Sequence, residues 1–374
     1  MKIMHTSPKA VVKSLALIAS VCGGLSARGV IFYSTSDPLY NSTPPAGELD
    51  GSGWHLQGSW SAFLGTPISP QHFVTAKHLG GSPGLRFSLE GIEYTTTAVF
   101  DDPDSDLRIW KIRGRFPQFA ELYPRTDEVG KDLVVFGRGT QRGSEVTVDL
   151  LLGSSVKGWQ WGVADGRKRW GQNRVGGVAS RTQGPIAGNA SAFAESGDLL
   201  KVPFDADAGP NEAHLSAGDS GGGLFIQDGG TWKLAGINFL VDGLYNTSDG
   251  GPGFQAAIFD ESGLYKGREG DWTRVPNSAA NTPGAFYATR ISIRLSWINS
   301  ILAQTTSEDG PFLQSAPTVT GPFEDEINAD VDTTSQIVTL PAPSGARFYR
   351  LNSLSELRII GLTLKNGNLV FQYQ

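Results

Sequence analysis

Along most of its length the chain alternates short apolar runs with polar breaks rich in glycine. Val30-Ile31-Phe32-Tyr33, Phe73-Val74 and Leu224-Phe225-Ile226 are too short for ordinary helices and suit strands. Leu107-Arg108-Ile109-Trp110-Lys111-Ile112 has apolar residues at alternating positions, the period of a strand with one buried face. Trp232 to Leu240 reads as the strand returning from Leu224-Phe225-Ile226 through a turn at Asp228-Gly229-Gly230. Trp60, Phe63 and Leu64 predict a strand closed by a turn at Gly65-Thr66-Pro67. Asp132-Leu133-Val134-Val135-Phe136-Gly137-Arg138-Gly139 predicts a strand running into a glycine turn, with Val146 to Leu152 as its hairpin partner. Helical spacing emerges only late, where Ile291, Leu295, Ile298 and Leu302 share a face. The pattern is that of an all-β protein with a late helix.

Glycine supplies 48 of the 374 residues, which fits many turns between short strands. A net charge of −6 with no basic stripe argues against a nucleic-acid partner. Residues 1–27 read as a secretory signal: Lys2, Lys9 and Lys13 precede an apolar run from Ser14 to Val21, and Ser26-Ala27 offers a cleavage edge. That run falls well short of the roughly 20 residues of a membrane span. The only cysteine, Cys22, lies inside it, so the mature chain must hold together without disulfides. The expected location is secreted, extracellular or periplasmic. No metal-ligand spacing or cofactor motif stands out.

One stretch carries chemistry: Ser216-Ala217-Gly218-Asp219-Ser220-Gly221-Gly222-Gly223. Glycines let the backbone turn tightly beside the Ser220 hydroxyl and aim N–H groups at an oxyanion. A plain glycine-rich hairpin would need neither Asp219 nor the bare flanks of Ser220. A serine needs a base to take its proton. Of the five histidines, His5, His55, His72, His78 and His214, none follows Ser220. The Gly-x-Ser-x-Gly reading of an α/β-hydrolase therefore fails, since it needs a later histidine.

Thr75-Ala76-Lys77-His78, at the end of an apolar strand, resembles the Thr-Ala-Ala-His motif of the trypsin-like (chymotrypsin-fold) serine proteases. Leu79 stands where that family usually has a cysteine. His72 is the competing base, read as a surface residue. The family's acid precedes a strand, which favours Asp106 before Leu107-Arg108-Ile109, with Asp104 the runner-up. The order His78, Asp106, Ser220 matches that family, whereas subtilisin-like enzymes put the acid first. The resemblance covers most of residues 30–303 and implies two antiparallel Greek-key β-barrels with a C-terminal helix. It implies the N–H groups of Gly218 and Ser220 as the oxyanion hole. It assigns Asp219 to an α-amino group near Val30-Ile31, released on signal removal or a trim just after it. It puts His214 at the base of the specificity pocket, where trypsins carry aspartate, and Phe239 in its wall.

The implied domains are 1–27 signal peptide, 28–305 trypsin-like protease and 306–374 a small β-sandwich-like module. The last rests on Gln336 to Leu340, Phe348 to Leu351, Leu357 to Ile360 and Leu369 to Phe371, after a linker at Ser307 to Pro311. Binding a surface, a glycan or a sorting partner are the roles open to it, beside stiffening the protein. Trp159, Trp161 and Asp165 to Arg174 form an aromatic and basic stretch, read as tryptophans filling a barrel with arginines reaching outwards, the alternative being a binding ridge. The implied function is a secreted serine endopeptidase acting on protein or peptide without a cofactor. A catalytically silent binding protein on the same fold and a serine esterase remain as alternatives.

Overall fold

The computed structural model describes residues 29–150, 153–179, 199–304, 311–326, 329–353 and 356–374. The expected signal peptide, Cys22 included, lies outside these residues, as do Ser307 to Gly310 of the expected linker. Two antiparallel β-bodies meet face to face.

The first is a closed six-stranded barrel. Its strands follow one another in space as Gly58–Trp60, Phe63–Ser69, His72–Ala76, Leu107–Ile112, Ile92–Asp101 and Arg86–Leu89, the last pairing back with the first. Aromatic rings fill it, with Phe73 stacked on Phe87 at 4.0 Å and Trp60 tilted against Trp110 at 4.5 Å. The Trp110 indole donates to Thr75 Oγ1 at 3.0 Å, so the polar edge of this large side chain is satisfied inside. The turn expected at Gly65-Thr66-Pro67 is instead the middle of the strand Phe63–Ser69. The chain reverses earlier, at Ser61, which takes φ 54°. Gly65 serves packing there: a Cβ would come within 2.9 Å of the Phe73 ring.

The second body is a seven-stranded antiparallel sheet curled into a half-barrel. Its order is Arg169–Arg174, Asp132–Gly137, Gly223–Asp228, Thr231–Val241, Ala285–Arg290, Leu199–Pro203 and Gly177–Ala179. Val135, Leu200, Leu224, Ala235 and Phe286 form its interior. Asp132–Gly137 has Arg169–Arg174 and Gly223–Asp228 as neighbours, not the predicted segment beginning at Val146. Thr140–Leu150 pairs with Gly153–Ala164, and Val146 packs with Tyr245, Ile258 and Leu264. Trp159 and Trp170 are buried as expected, but Arg169 does not reach outwards. It is enclosed and held by Asp165 at 2.9 Å, because a buried guanidinium needs a carboxylate.

The segment Leu295–Gln304 is the expected helix, entered through a single tight turn at Ser292–Arg294. Ile298 and Ile301 sink into a cluster shared by both bodies, with Leu64, Ile109, Phe136 and Ile237. Burying such a side chain contributes about 1.5–3 kcal/mol, so this cluster holds the two bodies in register. The fold is therefore all-β, two-barrel and closed by a helix, as the resemblance implied. Beyond it, strands lie at Ile337–Pro341, Phe348–Asn352, Ile359–Lys365 and Asn368–Tyr373, close to the predicted positions. Phe312–Ala316, which the pattern did not reveal, pairs with Phe348–Asn352. Leu313, Val338, Leu340 and Phe371 form a small core of their own.

Candidate active site

Three distant segments converge at the seam. The strand His72–Ala76 ends in a single turn, Lys77–Leu79, that carries His78 out of the first barrel. Asp106 sits just before the strand Leu107–Ile112, whose pairing with His72–Ala76 brings acid and histidine together. Its Oδ1 accepts the His78 backbone N–H at 2.9 Å and its Oδ2 meets His78 Nδ1 at 2.6 Å. The carboxylate is nearly buried and accepts only, so Nδ1 carries the proton. Nε2 is then a lone pair, 3.0 Å from Ser220 Oγ. A hydroxyl there can pass its proton to the ring.

Ser220 comes from the second body, on the turn leading into Gly223–Asp228. Two glycines shape that turn. Gly218 has φ 98°, and a Cβ on it would lie 2.9 Å from Gly139 Cα. Gly221 has φ 80°, and a Cβ on it would lie 2.5 Å from the Leu64 carbonyl oxygen of the first barrel. Glycine therefore lets the serine loop press against both bodies at once. Among the described residues the N–H groups of Gly218 and Ser220 have no main-chain acceptor.

Asp219 is buried beneath the turn. Its carboxylate accepts the Gly139 N–H at 2.7 Å, the Ser216 N–H at 2.7 Å and the Ser216 hydroxyl at 3.0 Å. The backbone N–H of Val30 is a further donor, in the segment where the resemblance expects an α-amine. Burial pushes its pKa up to about 6, and the four donors oppose that rise.

His214 is not in the cleft. It is 1% exposed, packed edge-on between Phe204 and Phe286 in the second core, with Nδ1 near the Leu215 carbonyl. Burial pushes it down to about 4, so it is neutral. His214 closes the short strand Ala213–His214 with its ring turned into the core, and Leu215 and Ser216, just past that strand, line the cleft instead. The cleft beside Ser220 encloses about 20 Å³, with Phe239, Leu240 and Val241 on its other wall. The Phe239 ring lies 5.8 Å from the His78 ring. His72, the competing base, is buried rather than on the surface, with Nδ1 2.7 Å from Ser69 Oγ. The runner-up acid Asp104 projects into solvent.

Two supports went unnoticed in the sequence. Asn238, fully buried, donates to Phe136 O at 2.7 Å and to Asp219 O at 3.0 Å, tethering the serine turn to the sheet. Gln57 accepts the Gly223 N–H at 2.9 Å and donates to Thr66 Oγ1 at 2.9 Å, a bridge across the seam. A lone amide inside the apolar run Leu234 to Leu240 was the available signal for Asn238. Among the described residues no group of three or more His, Cys, Asp or Glu side chains could hold a metal ion, and no helix is long and apolar enough to cross a membrane.

No protein-family model and no curated protein matches the chain. Among solved structures it is similar to kallikrein-related peptidase 10, at 15% identity and a TM-score of 0.39, over 70% of this chain and 100% of that one.

Proposed function

We propose that this chain is a serine endopeptidase that cleaves peptide bonds through an acyl-enzyme. The observation that supports it best is the hydrogen-bonded line from Asp106 through His78 to Ser220, with two unclaimed amides beside the serine. In this reading Ser220 Oγ attacks the scissile carbonyl and its proton passes to His78 Nε2. Asp106 orients the ring and stabilises the imidazolium. The N–H groups of Gly218 and Ser220 hold the negative oxygen. The carbon–nitrogen bond then breaks, and the leaving amine takes the proton from Nε2. Water repeats the sequence in reverse and frees Ser220.

Export belongs to the same proposal, supported by the pattern of residues 1–27. A cut that leaves Val30 at the terminus turns its N–H donor to Asp219 into an ammonium group, which neutralises the buried acid. Sequencing the N-terminus of active protein tests this; activity with a long extension before Arg28 rules it out.

The deciding experiment for the reaction is labelling with a fluorophosphonate, followed by mass mapping. The adduct is expected on Ser220, and Ser220→Ala is expected to cut peptide turnover by roughly 10⁴-fold or more. Labelling elsewhere, or undiminished turnover, defeats the reading. Matched amide and ester substrates separate a peptidase from an esterase.

A further inference from the structure

A second opening, of about 250 Å³, lies on the far flank of the serine loop. Arg138, Lys168, Ser59, Glu90 and Leu64 are among its lining residues. Two of these abut the loop itself. The Leu64 carbonyl meets Gly221, and the Arg138 backbone lies against Gly218.

Arg138 and Lys168 are half-buried, and they differ from the fully buried lysine and arginines of the described residues. Lys157 is paired with Asp260, Arg169 with Asp165 and Arg290 with Glu128. Arg138 gives its Nη1 to Ser59 Oγ at 2.9 Å and its Nη2 to Gly166 O at 3.0 Å, and Nε has no partner. Lys168 gives its ammonium to the carbonyls of Trp54 and Gln57 at 2.7 and 3.1 Å, over the Trp54 ring. These contacts fix both side chains without cancelling their charge. Burial pushes Lys168 down to about 8; Glu90 acts against this shift and Arg138 adds to it. Among the described residues Glu90 is the one carboxylate in the wall, and His55 stands 3.5 Å from it. Two desolvated cations and one shared acid leave the opening positive, and burying unpaired charge is costly.

We propose that this opening is a carboxylate-binding subsite that receives an acidic side chain of the substrate beyond the scissile bond. The proposal rests on the endopeptidase reading for its placement. There, the acyl half of a peptide lies against Phe239 to Val241, the wall of the cleft beside Ser220, so the leaving half crosses the serine loop, which the Leu64 carbonyl and the Arg138 backbone abut, towards Arg138 and Lys168. Arginine and lysine on fixed stems at a site partly shielded from water suit a carboxylate. The stretch Asp165 to Arg174 thus enters recognition through Lys168, while its tryptophan and Arg169 stay in the interior.

The test uses quenched fluorescent peptides that differ only in Glu or Gln at the first, second or third position after the cut. Wild type is expected to favour Glu at one of them by roughly ten- to a hundredfold in kcat/KM, the size of a charge-assisted hydrogen bond. Lys168→Met is expected to bring that ratio towards one, and Arg138→Gln to lower it. Turnover with no acidic preference at any position overturns the subsite and leaves the endopeptidase reading standing. Absence of turnover on every peptide defeats the endopeptidase reading instead. The pocket is then judged by calorimetry on folded protein with acetyl-glutamate amide. Binding that disappears in Lys168→Met supports a carboxylate site, and absence of binding in wild type overturns it.

Discussion

Replacing Asp106 by asparagine isolates the acid's role without changing its shape. Asp106 offers one oxygen to the His78 backbone N–H at 2.9 Å and the other to Nδ1 at 2.6 Å. Asparagine has one oxygen and one NH2. The backbone donor cannot turn away, so it keeps the oxygen and the NH2 faces Nδ1. The ring must then present a lone pair at Nδ1 and carry its proton on Nε2, where it blocks transfer from Ser220. Restoring the productive tautomer forfeits a charge-assisted hydrogen bond, about 1.5–3 kcal/mol, and leaves a buried donor unpaired, about 1–3 kcal/mol. Together these cost about 2.5–6 kcal/mol, or roughly 10² to 10⁴ in rate. Loss of the negative charge beside the imidazolium pushes the effect to the upper end, near the roughly 10⁴-fold loss recorded for this change in a well-studied triad. The assay is kcat/KM on a fluorogenic peptide, with the melting temperature measured beside it. A loss below tenfold in a variant that folds normally refutes the claim that Asp106 sets the tautomer of His78.

Other outcomes follow from neighbouring contacts. Gly221→Ala places a methyl 2.5 Å from Leu64 O at φ 80°, and is expected to cost about 2–4 kcal/mol of stability and most of the activity, read by urea unfolding and by fluorophosphonate labelling. While the segment before Val30 is attached and Val30 offers only its backbone N–H, Asp219 has its acid raised from 3.8 to about 6, so in that uncut form its stabilising contribution is whole below pH 3.8 and is lost as pH rises through about 6. The difference is about 3 kcal/mol; unfolding of wild type and Asp219→Asn at pH 4 and 7.5 should show this slope in the first alone, and equal slopes would contradict it. A cleft of about 20 Å³ has room for about one water molecule, so it suits a small side chain. Peptides with glycine or alanine before the cut should therefore exceed those with phenylalanine or arginine by at least about tenfold in kcat/KM, and the reverse order would dismiss this cleft as the specificity pocket.

Much of the site's layout was legible because it is written locally. A base at the end of a strand, an acid before a strand and a serine among glycines each depend on a few adjacent residues. Long-range partners were not. Gln57 and Asn238 act on residues far away in the chain, and nothing around either residue names its target. His214 shows the limit of counting back from a motif: spacing put it beside the cleft, and the rings of Phe204 and Phe286, distant in sequence, enclose it in the core. Gly65 and Pro67 read as a turn because both residues punctuate chains. Crowding by the Phe73 ring is what calls for glycine in that strand, and it arises only once the barrel closes. The partner of Asp132–Gly137 was misjudged because proximity in sequence does not fix strand order.

The acid–base couple belongs to one β-body and the hydroxyl to the other, and the Leu64–Gly221 contact lies between them. Proton transfer across 3.0 Å is thus a sensitive gauge of how the two halves are seated. A slip of an ångström at the seam disconnects the relay while each half keeps its own interior. Activity is expected to fade at lower urea than the signals of melting, so the chain can fall silent while still folded.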